Sequence, residues 1–587
     1  MSLQVWLPLN GNLENQGLSN AAITALSTPT YSNNGKIGQC AYGAYRINYK
    51  QTNNEVSIAF WICLTASSQW ADIFSFGTGL NRIENISASG STSCIQHWYN
   101  TSGSAFITNQ DLFTLTVGKW THVTMTADGQ NVRFYIDGQL VKTASQTSTV
   151  ITGLFDKDYF YIGSRDGSGS IYSANLNDFR LYNHCLSAKE VKELAKGLVL
   201  HYRLAGPGRP NLLTGTGPND SGWGINQSGG TFTKTVTNDC TTFNVTAKAT
   251  LWFLYYHTLP TSVRNSLKVN TTYTYSFEAK SNTKFSLGIS LLCDDGTNSM
   301  SNNKGVAILG DNQWHKYSVQ LTTIANFSSL SQTNQYFYMY GGNTISTVSF
   351  RKAKLEEGSV ATPWCPNSSD SLYSTLGYNN NIEYDCSGYR YNGTKSGTIT
   401  WDIDSPRYTT SYNFSPHATI TTNTGFPIGS NSIFTFNIWL KVPSGKTMTQ
   451  YGDYFSIKGS NLRVETSSTD GLNLYWFNYP IGTLNGIPIE NVQANSWYMH
   501  TLVCDGIKFY IYLNGKLKST IALSGTAFTT NGGLTLGDPS SAVTYFNLAD
   551  ARVYATALSA DDIAELYHSA VIVDNTGKTY AYEYFEA

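Results

Sequence analysis

Charge is what this sequence has least of. Of its 587 residues only 13% are Asp, Glu, Lys or Arg, roughly half the ~25% of an average globular chain. The signs nearly cancel, 38 basic against 39 acidic, so there is no electrostatic footprint for a phosphate backbone and nucleic acid is excluded as an expected partner. Long apolar runs are missing as well: nothing approaches the ~18 uninterrupted residues that cross a bilayer, which argues against membrane insertion. The nine cysteines, at 40, 63, 94, 185, 240, 293, 365, 386 and 504, are odd in number and contain no CxxC pair. Neither a disulfide scaffold nor a zinc site fits. In Phe60-Trp61-Ile62-Cys63 and Leu502-Val503-Cys504 the cysteine reads as a small hydrophobe in a strand, a free thiol made in a reducing compartment. The first ten residues alternate apolar and polar with no basic start, and read as a first strand rather than a signal peptide. The segment ending at Ala587 does not read as an anchoring tail, so none is expected.

Aromatics and glycine are plentiful, with Tyr 39, Phe 27, Trp 13 and Gly 51. Together with amide and hydroxyl side chains they describe short strands and turns, hence β-rich structure. At ~150 residues per domain the length suggests about four domains.

Self-similarity revises that number. Trp120 to Asp128-Gly129, followed by Val132-Arg-Phe-Tyr-Ile-Asp137-Gly138, recurs as Trp497 to Asp505-Gly506 and Phe509-Tyr-Ile-Tyr-Leu-Asn514-Gly515, 377 residues later. Trp61 matches Trp439, Trp98 matches Trp476, Gly163 matches Gly537, and Asp178-Phe-Arg180 matches Asp550-Ala-Arg552, with offsets drifting between 378 and 372. Such drift marks a duplication with short loop indels. The first strand repeats at another spacing: Leu3 to Leu9 resembles Leu198 to Leu204, offset 195, while Asn12-Leu-Glu-Asn15 finds Asn381-Ile-Glu-Tyr384, offset 369. A jump of 174 residues indicates a domain inserted after the first strand of copy two, with its ends adjacent in space. The expected layout is sandwich 1 over 1–197, sandwich 2 over 198–205 plus 371–570, an inserted jelly roll over 206–370, and a C-terminal strand or tail over 571–587. Asp137-Gly138 and Asn514-Gly515 suit tight hairpin turns. Leu186-Ser187 to Gly197 and its twin from Leu558-Ser559 each read as a short capped helix. The fold class is therefore all-β: three β-sandwiches, two of them copies closed by a short helix, the third nested in the second.

The sequence of signals (Pro-Leu-Asn-Gly, a Phe-Trp strand, Trp-x-His-Val, Tyr-Ile-Asp-Gly, Tyr-Ile-Gly, Asp-Phe-Arg-Leu-Tyr, Leu-Ser-x-x-Glu, as the first copy spells them) resembles the laminin-G-like, concanavalin A-like lectin/glucanase superfamily, and the match covers Met1 to about Leu204 and about Ser371 to Tyr567. Such motifs speak to fold and not to ligand. In the insert, Asn211-Leu-Leu, Tyr273 to Lys280, Trp314 to Tyr317 and the closing Lys354-Leu-Glu356-Glu357-Gly358 to Pro363-Trp364 are similar to carbohydrate-binding-module-like jelly rolls of phage and prophage tail proteins. The combination resembles bacteriophage tail, baseplate or fibre-associated virion proteins. That resemblance implies synthesis in the host bacterial cytoplasm, display on the particle surface, contact with other virion structural proteins as a homo-oligomer, and host-surface glycan as partner.

Chemistry is sparse. Sandwich glucanases of this superfamily carry a Glu-x-Asp-x-x-Glu strand that sets two carboxylates ~5 Å apart, and that pattern is absent. Asp294-Asp295, Glu356-Glu357 and Asp561-Asp562 are adjacent pairs; on a strand, neighbours face opposite sides, and Asp561 and Asp562 read as helix N-terminal charges. No HExxH, Gly-x-Ser-x-Gly or Walker loop occurs, and His122 and His500 read as satisfied core or surface imidazoles. An enzyme is not expected. No cofactor is certain; Ca²⁺ is the candidate metal, with Asp166, Asp294 and Asp295 in loops that either ligate it or simply turn.

Glycan binding needs aromatic faces ringed by hydrogen-bonding groups. Trp98 and Tyr99 in one copy, Trp476 and Tyr479 on the matched strand of the other, and Trp252 and Tyr255 in the insert are the candidates, with core packing the alternative for the matched tryptophans. Trp61, Trp120, Trp439 and Trp497 read as core. The expected function is a non-enzymatic virion protein mediating host-glycan recognition or adhesion; a head or tail decoration protein and a secreted glycan-binding adhesin are the alternatives, and a glycoside hydrolase is disfavoured.

Overall fold

The computed structural model describes residues 3–568 apart from short intervals, the longer being 87–92, 100–104, 146–157, 165–172, 206–210, 293–299, 326–335, 342–346, 371–380, 423–432, 446–452, 467–472, 479–483, 523–532 and 539–544; the expected tail over 571–587 lies outside the described residues. The first sandwich has two antiparallel sheets. One runs, in spatial order, Gln139–Ser145, Asn131–Ile136, Trp120–Asp128, Glu55–Leu64, Ala174–Tyr182, Cys40–Tyr42 and Thr30–Ser32, with Leu3–Leu7 also paired to Ala174–Tyr182. The facing sheet runs Ala105–Thr114, Ser93–Tyr99, Asn81–Ile86, Gln69–Phe76, Phe160–Ile162, Tyr45–Asn48 and Ala22–Ala25. The second sandwich repeats the plan. Its first sheet centres on Ile433–Lys441 between Trp497–Asp505 and Phe546–Tyr554, and its facing sheet carries Asn473–Asn478 one strand in from the edge strand Leu484–Asn491.

The strand that completes this second sandwich comes from far away in sequence. Leu198–Tyr202 pairs with Phe546–Tyr554 as Leu3–Leu7 pairs with Ala174–Tyr182. Flanking hydrogen bonds repeat as well: Asn15 Oδ1 accepts from Trp6 N, and Asp385 Oδ1 accepts from His201 N, both at 2.9 Å. Gln16 N donates to Trp6 O, and Cys386 N to His201 O, both at 2.8 Å. Asn15 and Asp385 lie 370 apart, one residue from the 369 read off the sequence. Leu204 N, where the first strand ends, donates to Glu383 Oε1 at 3.3 Å, so the chain returns beside the point it left.

The central strands read as unbroken apolar runs because both of their faces are covered. From Val56 onward every residue of Glu55–Leu64 is buried, as is every residue of Ile433–Lys441 after the first. Ile58, Phe60 and Ile62 fill the space between the two sheets. On the opposite face lie Ala59, under helix α1 (Ala188–Ala195), and Trp61, which the helix does not cover. Ser187 caps α1 in a capping box with Glu190, as its sequence predicts. A short helix α2 (Thr261–Ser266) lies in the insert, and α3 (Ala560–His568) covers Trp439 in the second sandwich. Ser559 and Asp562 exchange hydrogen bonds at the start of α3, which accounts for that acidic residue. The turn residues Asp137 and Asn514 adopt φ of 48° and 50°, each followed by a glycine packed on its helix.

Duplication does not make the two helix-side faces equal. Tyr567 of α3 stacks on Trp439 with centroids 5.7 Å apart. The position 372 residues earlier in α1 is Ala195, too small to reach Trp61. The second copy fills the gap: Gly197 approaches Trp61 from beside Ala555, Ala555 N donates to Gly197 O at 2.8 Å, and Thr556 Oγ1 to Lys196 O at 2.7 Å. Trp6, Trp61 and Trp120 consequently join the apolar core of the second sandwich. Of the four expected core tryptophans, Trp61, Trp120 and Trp439 are buried as read, on helix-side faces, whereas Trp497 is half-buried with Lys441 Nζ 5.3 Å from its ring. Trp6 meets Tyr389 edge-on at 5.4 Å, Asn10 donates to Tyr391 OH at 2.9 Å, and Lys192 of α1 pairs with Asp562 of α3 at 2.9 Å.

The insert is a sandwich of two five-stranded sheets. One runs Trp223–Gln227, Phe253–Thr258, Tyr336–Gly341, Phe285–Leu292, Lys304–Ile308; the other runs Thr231–Val236, Thr241–Ala247, Thr347–Glu357, Thr272–Ser281, His315–Thr322. Its ends are clasped by Asn211, which is buried and uses its whole amide. The two Nδ2 hydrogens are shared among Ala353 O, Cys365 O and Thr216 Oγ1, and Oδ1 accepts from Leu213 N and Leu355 N, all within 2.9–3.1 Å. Asn211→Ala is expected to destabilise this sandwich by roughly 2–3 kcal/mol, because buried carbonyls and N–H groups lose their partner. Urea unfolding followed by near-UV circular dichroism checks it, and an unchanged midpoint would count against the clasp.

Candidate functional site

On the Trp223-to-Ile308 sheet of the insert, period-2 alternation separates a core side from an outer side. Trp223, Phe253, Tyr255, Leu287, Ile289, Leu291 and Met339 face the core. The outer side carries Tyr256 and Tyr338, directly paired across neighbouring strands with ring centroids 6.1 Å apart and planes at 52°. Both rings are partly exposed. Around them, small residues keep the surface open. Tyr256 is paired with Gly224, where a Cβ would lie 2.4 Å from the tyrosine ring, so the phenol end of the ring occupies the space a side chain would take. Tyr338 is paired with Ser290, and beyond it Gly288 pairs with Gly305, above which a Cβ would meet nothing within 4 Å. Asn226 is exposed on the same side. Two tilted aromatic rings flanked by glycine, serine and amide, with no carboxylate among the described residues around them, form a surface for stacking and neutral hydrogen bonding.

Tyr255 requires a correction. It sits one residue out of phase, is 2% exposed, and packs its ring against Phe243 and Phe350 at 5.5 and 5.2 Å. Burial pushes its phenol up from the usual range, so it is core and offers no face to a ligand. Trp252 and Tyr479 lie outside the described residues, as do the candidate metal ligands Asp166, Asp294 and Asp295. The strand Ser93–Tyr99 sets Trp98 opposite Ile107 and Tyr99 opposite Ala105, and Asn473–Asn478 sets Trp476 between Val464 and Ile487. Both strands lie one in from the edge of the sheet facing away from the helix, and both edge pairings are broken by bulges, which re-aim side chains. The side chains of these three aromatics are outside the described residues. The signal that would have found Tyr256 and Tyr338 was present as Tyr336-Phe-Tyr338-Met-Tyr340, whose alternation fixes which tyrosines share a side.

The titratable groups gathered elsewhere are structural. Asp550 and Asp178 sit at matched bulges with φ of 51° and 52°. Asp178 Oδ1 accepts from Trp6 Nε1 at 2.7 Å and Arg180 Nε at 2.9 Å. Asp550 Oδ1 lies 2.9 Å from His201 Nε2 and 2.8 Å from Arg552 Nε, with Arg407 Nε 3.1 Å from Oδ2. His201 thus occupies the place of Trp6. Burial alone would raise the Asp550 carboxyl, but Arg552, His201 and Arg407 hold it far below the usual range. Burial, then Arg552, lowers His201 to about 4. His122 and His500 are buried and lowered to about 3 by desolvation. Contrary to the sequence reading, His500 is not satisfied: neither ring nitrogen has a hydrogen-bond partner among the described residues. Glu356 is buried 3.6 Å from Lys354, while Glu357 pairs with Lys268 at 2.8 Å. Among the described residues no three His, Cys, Asp or Glu side chains gather as metal ligands do.

The Laminin_G_3 family model, described as concanavalin A-like lectin/glucanases superfamily, matches residues 41–192 and 414–564. Comparison with curated proteins gave no match. Among solved structures, domain 4 of an extracellular arabinanase from Geobacillus stearothermophilus, in complex with arabinotriose, is similar at 19% identity over 33% of this chain and 98% of its own, with a TM-score of 0.28. The ligand-binding domain of botulinum neurotoxin serotype D, in complex with N-acetylneuraminic acid, is similar at 12% identity over 60% of this chain and 96% of its own, TM-score 0.28. The binding domain of Paraclostridial mosquitocidal protein 1 is similar at 12% over 57% and 97%, TM-score 0.27. At such scores none of them bears on ligand or activity. Two matched sandwiches, covering just over half of the chain, establish that it belongs to the concanavalin A-like lectin/glucanases superfamily, in which it carries two laminin-G-like domains.

Proposed function

We propose that this chain is a non-enzymatic glycan-recognition protein of a bacteriophage particle, associated with the tail, baseplate or fibre, in which the module over 206–370, folded within the second laminin-G-like copy, contacts host-surface polysaccharide. The observation that carries glycan recognition is the outer face with Tyr256 and Tyr338 over Gly224, Ser290 and Gly305. Stacking on sugar C–H surfaces needs exposed rings on a rigid support, and two adjacent strands supply both. The particle assignment rests on the resemblance of the insert's closing motif, Lys354 to Trp364, and of the domain order to tail proteins. With it go assembly as a homo-oligomer, contact with other virion proteins, and synthesis in the host cytoplasm.

Binding of the full chain to labelled host-envelope polysaccharides is the test. Tyr256→Ala and Tyr338→Ala should each weaken binding roughly tenfold, about 1.4 kcal/mol, the loss typical of an aromatic anchor. Release of reducing ends should stay at background. Absence of binding across a broad panel would favour a decoration role, and an antibody imaged on purified virions would place the chain on tail or head.

A further inference from the structure

The opposite sheet of the insert gathers positive charge, although the protein as a whole is nearly neutral. Twelve Lys and Arg against nine Asp and Glu fall between 206 and 370, in a chain of 38 against 39. Several of the twelve meet on one face. On the neighbouring strands Thr347–Glu357, Thr272–Ser281 and His315–Thr322, the register sets Glu278 beside Arg351 and Lys316, with Lys280 two residues along. A bulge breaks the alternation, and Lys352 takes φ of 54°. Both Arg351 Nε and Lys352 Nζ therefore reach the same carboxylate, at 2.6 and 3.2 Å from the two oxygens of Glu278. Trp314, which leads into the third strand, holds the cations in place: the Arg351 guanidinium lies 4.0 Å from its ring centroid and Lys280 Nζ 5.4 Å.

Four cations thus surround one carboxylate. Glu356 does not redress the balance, because Lys354 already faces it, and Asp311 is engaged by His315 at 2.8 Å. Desolvation lowers the Lys316 ammonium, with Lys352 acting in the same direction against Glu278 and Glu356. Holding like charges together costs free energy that a bound anion offsets. The cations spread over three adjacent strands, about 10 Å at the usual strand spacing, which suits charges repeated along a chain rather than one small ion. A strained backbone residue that brings two of them to one point is the kind of feature found at binding surfaces.

We infer that this face, built from Lys280, Lys316, Arg351 and Lys352 around Trp314, is a second binding surface of the insert, for the anionic groups of an acidic polysaccharide. It is distinct from the tyrosine face, which lies on the other sheet and carries no such charge. The anion is a carboxylate or a phosphodiester of the glycan chain, chemistries that share the demand for cationic donors.

Titrating immobilised full-length protein with polygalacturonate and with poly(ribitol phosphate), with dextran as the neutral control, decides the matter. At least one polyanion should bind, more weakly as salt rises, and which one binds distinguishes carboxylate from phosphate. Lys316→Gln combined with Lys352→Gln should weaken that binding about tenfold, as expected for two charge contacts at a surface. Lys516→Gln combined with Lys518→Gln, at exposed positions on an edge strand of the second copy, should leave it unchanged, as should Tyr256→Ala. The inference is overturned if neither polyanion binds, if the Lys516 and Lys518 pair costs as much, or if Tyr256→Ala abolishes binding. Loss of neutral-glycan binding alone in Tyr256→Ala would concern only the tyrosine face.

Discussion

Acidification from pH 7 to pH 5 is expected to cost the two laminin-G-like sandwiches up to about 6 kcal/mol of stability, about 2 kcal/mol for each of three buried imidazoles. His122 and His500 are lowered to about 3 and His201 to about 4, in each case first by desolvation. In the unfolded chain they titrate near 6.5. The unfolded state therefore takes up protons first, and stability is lost as pH falls from about 6.5 toward 3 or 4. Glu383, whose carboxyl is raised by burial, works the other way and offsets part of the loss below its unfolded value. Urea midpoints at pH 7 and pH 5 measure the effect. His500→Leu should flatten the dependence by about a third without loss at pH 7, because the imidazole it removes has no hydrogen-bond partner among the described residues. Equal midpoints at the two pH values would show that these rings are solvated.

Asp550→Asn is expected to destabilise the second sandwich by about 3–5 kcal/mol, the cost of leaving buried cations without their counter-charge. Asp550 is fully buried, with Arg407 and Arg552 both within 3.1 Å and His201 at 2.9 Å. Arg407 also donates to the Leu566 carbonyl in the last turn of α3, so loosening it releases the helix that covers Trp439. Asp178→Asn should cost distinctly less, since a single guanidinium, Arg180, leans on it, its other partners Trp6 and Tyr389 being neutral. Thermal unfolding of the two variants, with thiol labelling of the buried Cys504 as a local probe, compares them. Similar losses would mean that the extra cations of the second copy carry no weight.

Much of the fold is legible in the sequence because its devices are local. Ser187 with Glu190, Asp137-Gly138 and Asn514-Gly515 specify a cap and two turns from neighbouring residues alone. The duplication shows itself through tryptophans and Asp-x-Arg pairs that recur at nearly constant spacing. The candidate site was legible only in part. Tyr255 and Tyr256 are adjacent and chemically alike, and which of them faces outward depends on the phase of the strand, fixed by Trp223 and Met339 across it. For His500 the residue type suggests a satisfied imidazole, in the core or at the surface; it lies in the core, and whether its ring nitrogens find partners there is decided by the packing around it.

The sequence by itself determined the all-β class, the two matched copies and the short helix that closes each, because alternation, turn pairs and caps act within a few residues. Only the tertiary structure decided which faces of those strands meet one another. Ala195 in place of a tyrosine leaves Trp61 for the second copy to cover, His201 stands where Trp6 stands, and Lys352 joins Arg351 at one carboxylate through a bulge. Such pairings join residues far apart along the chain. They are selected by packing and by the satisfaction of buried charge, neither of which leaves a local mark.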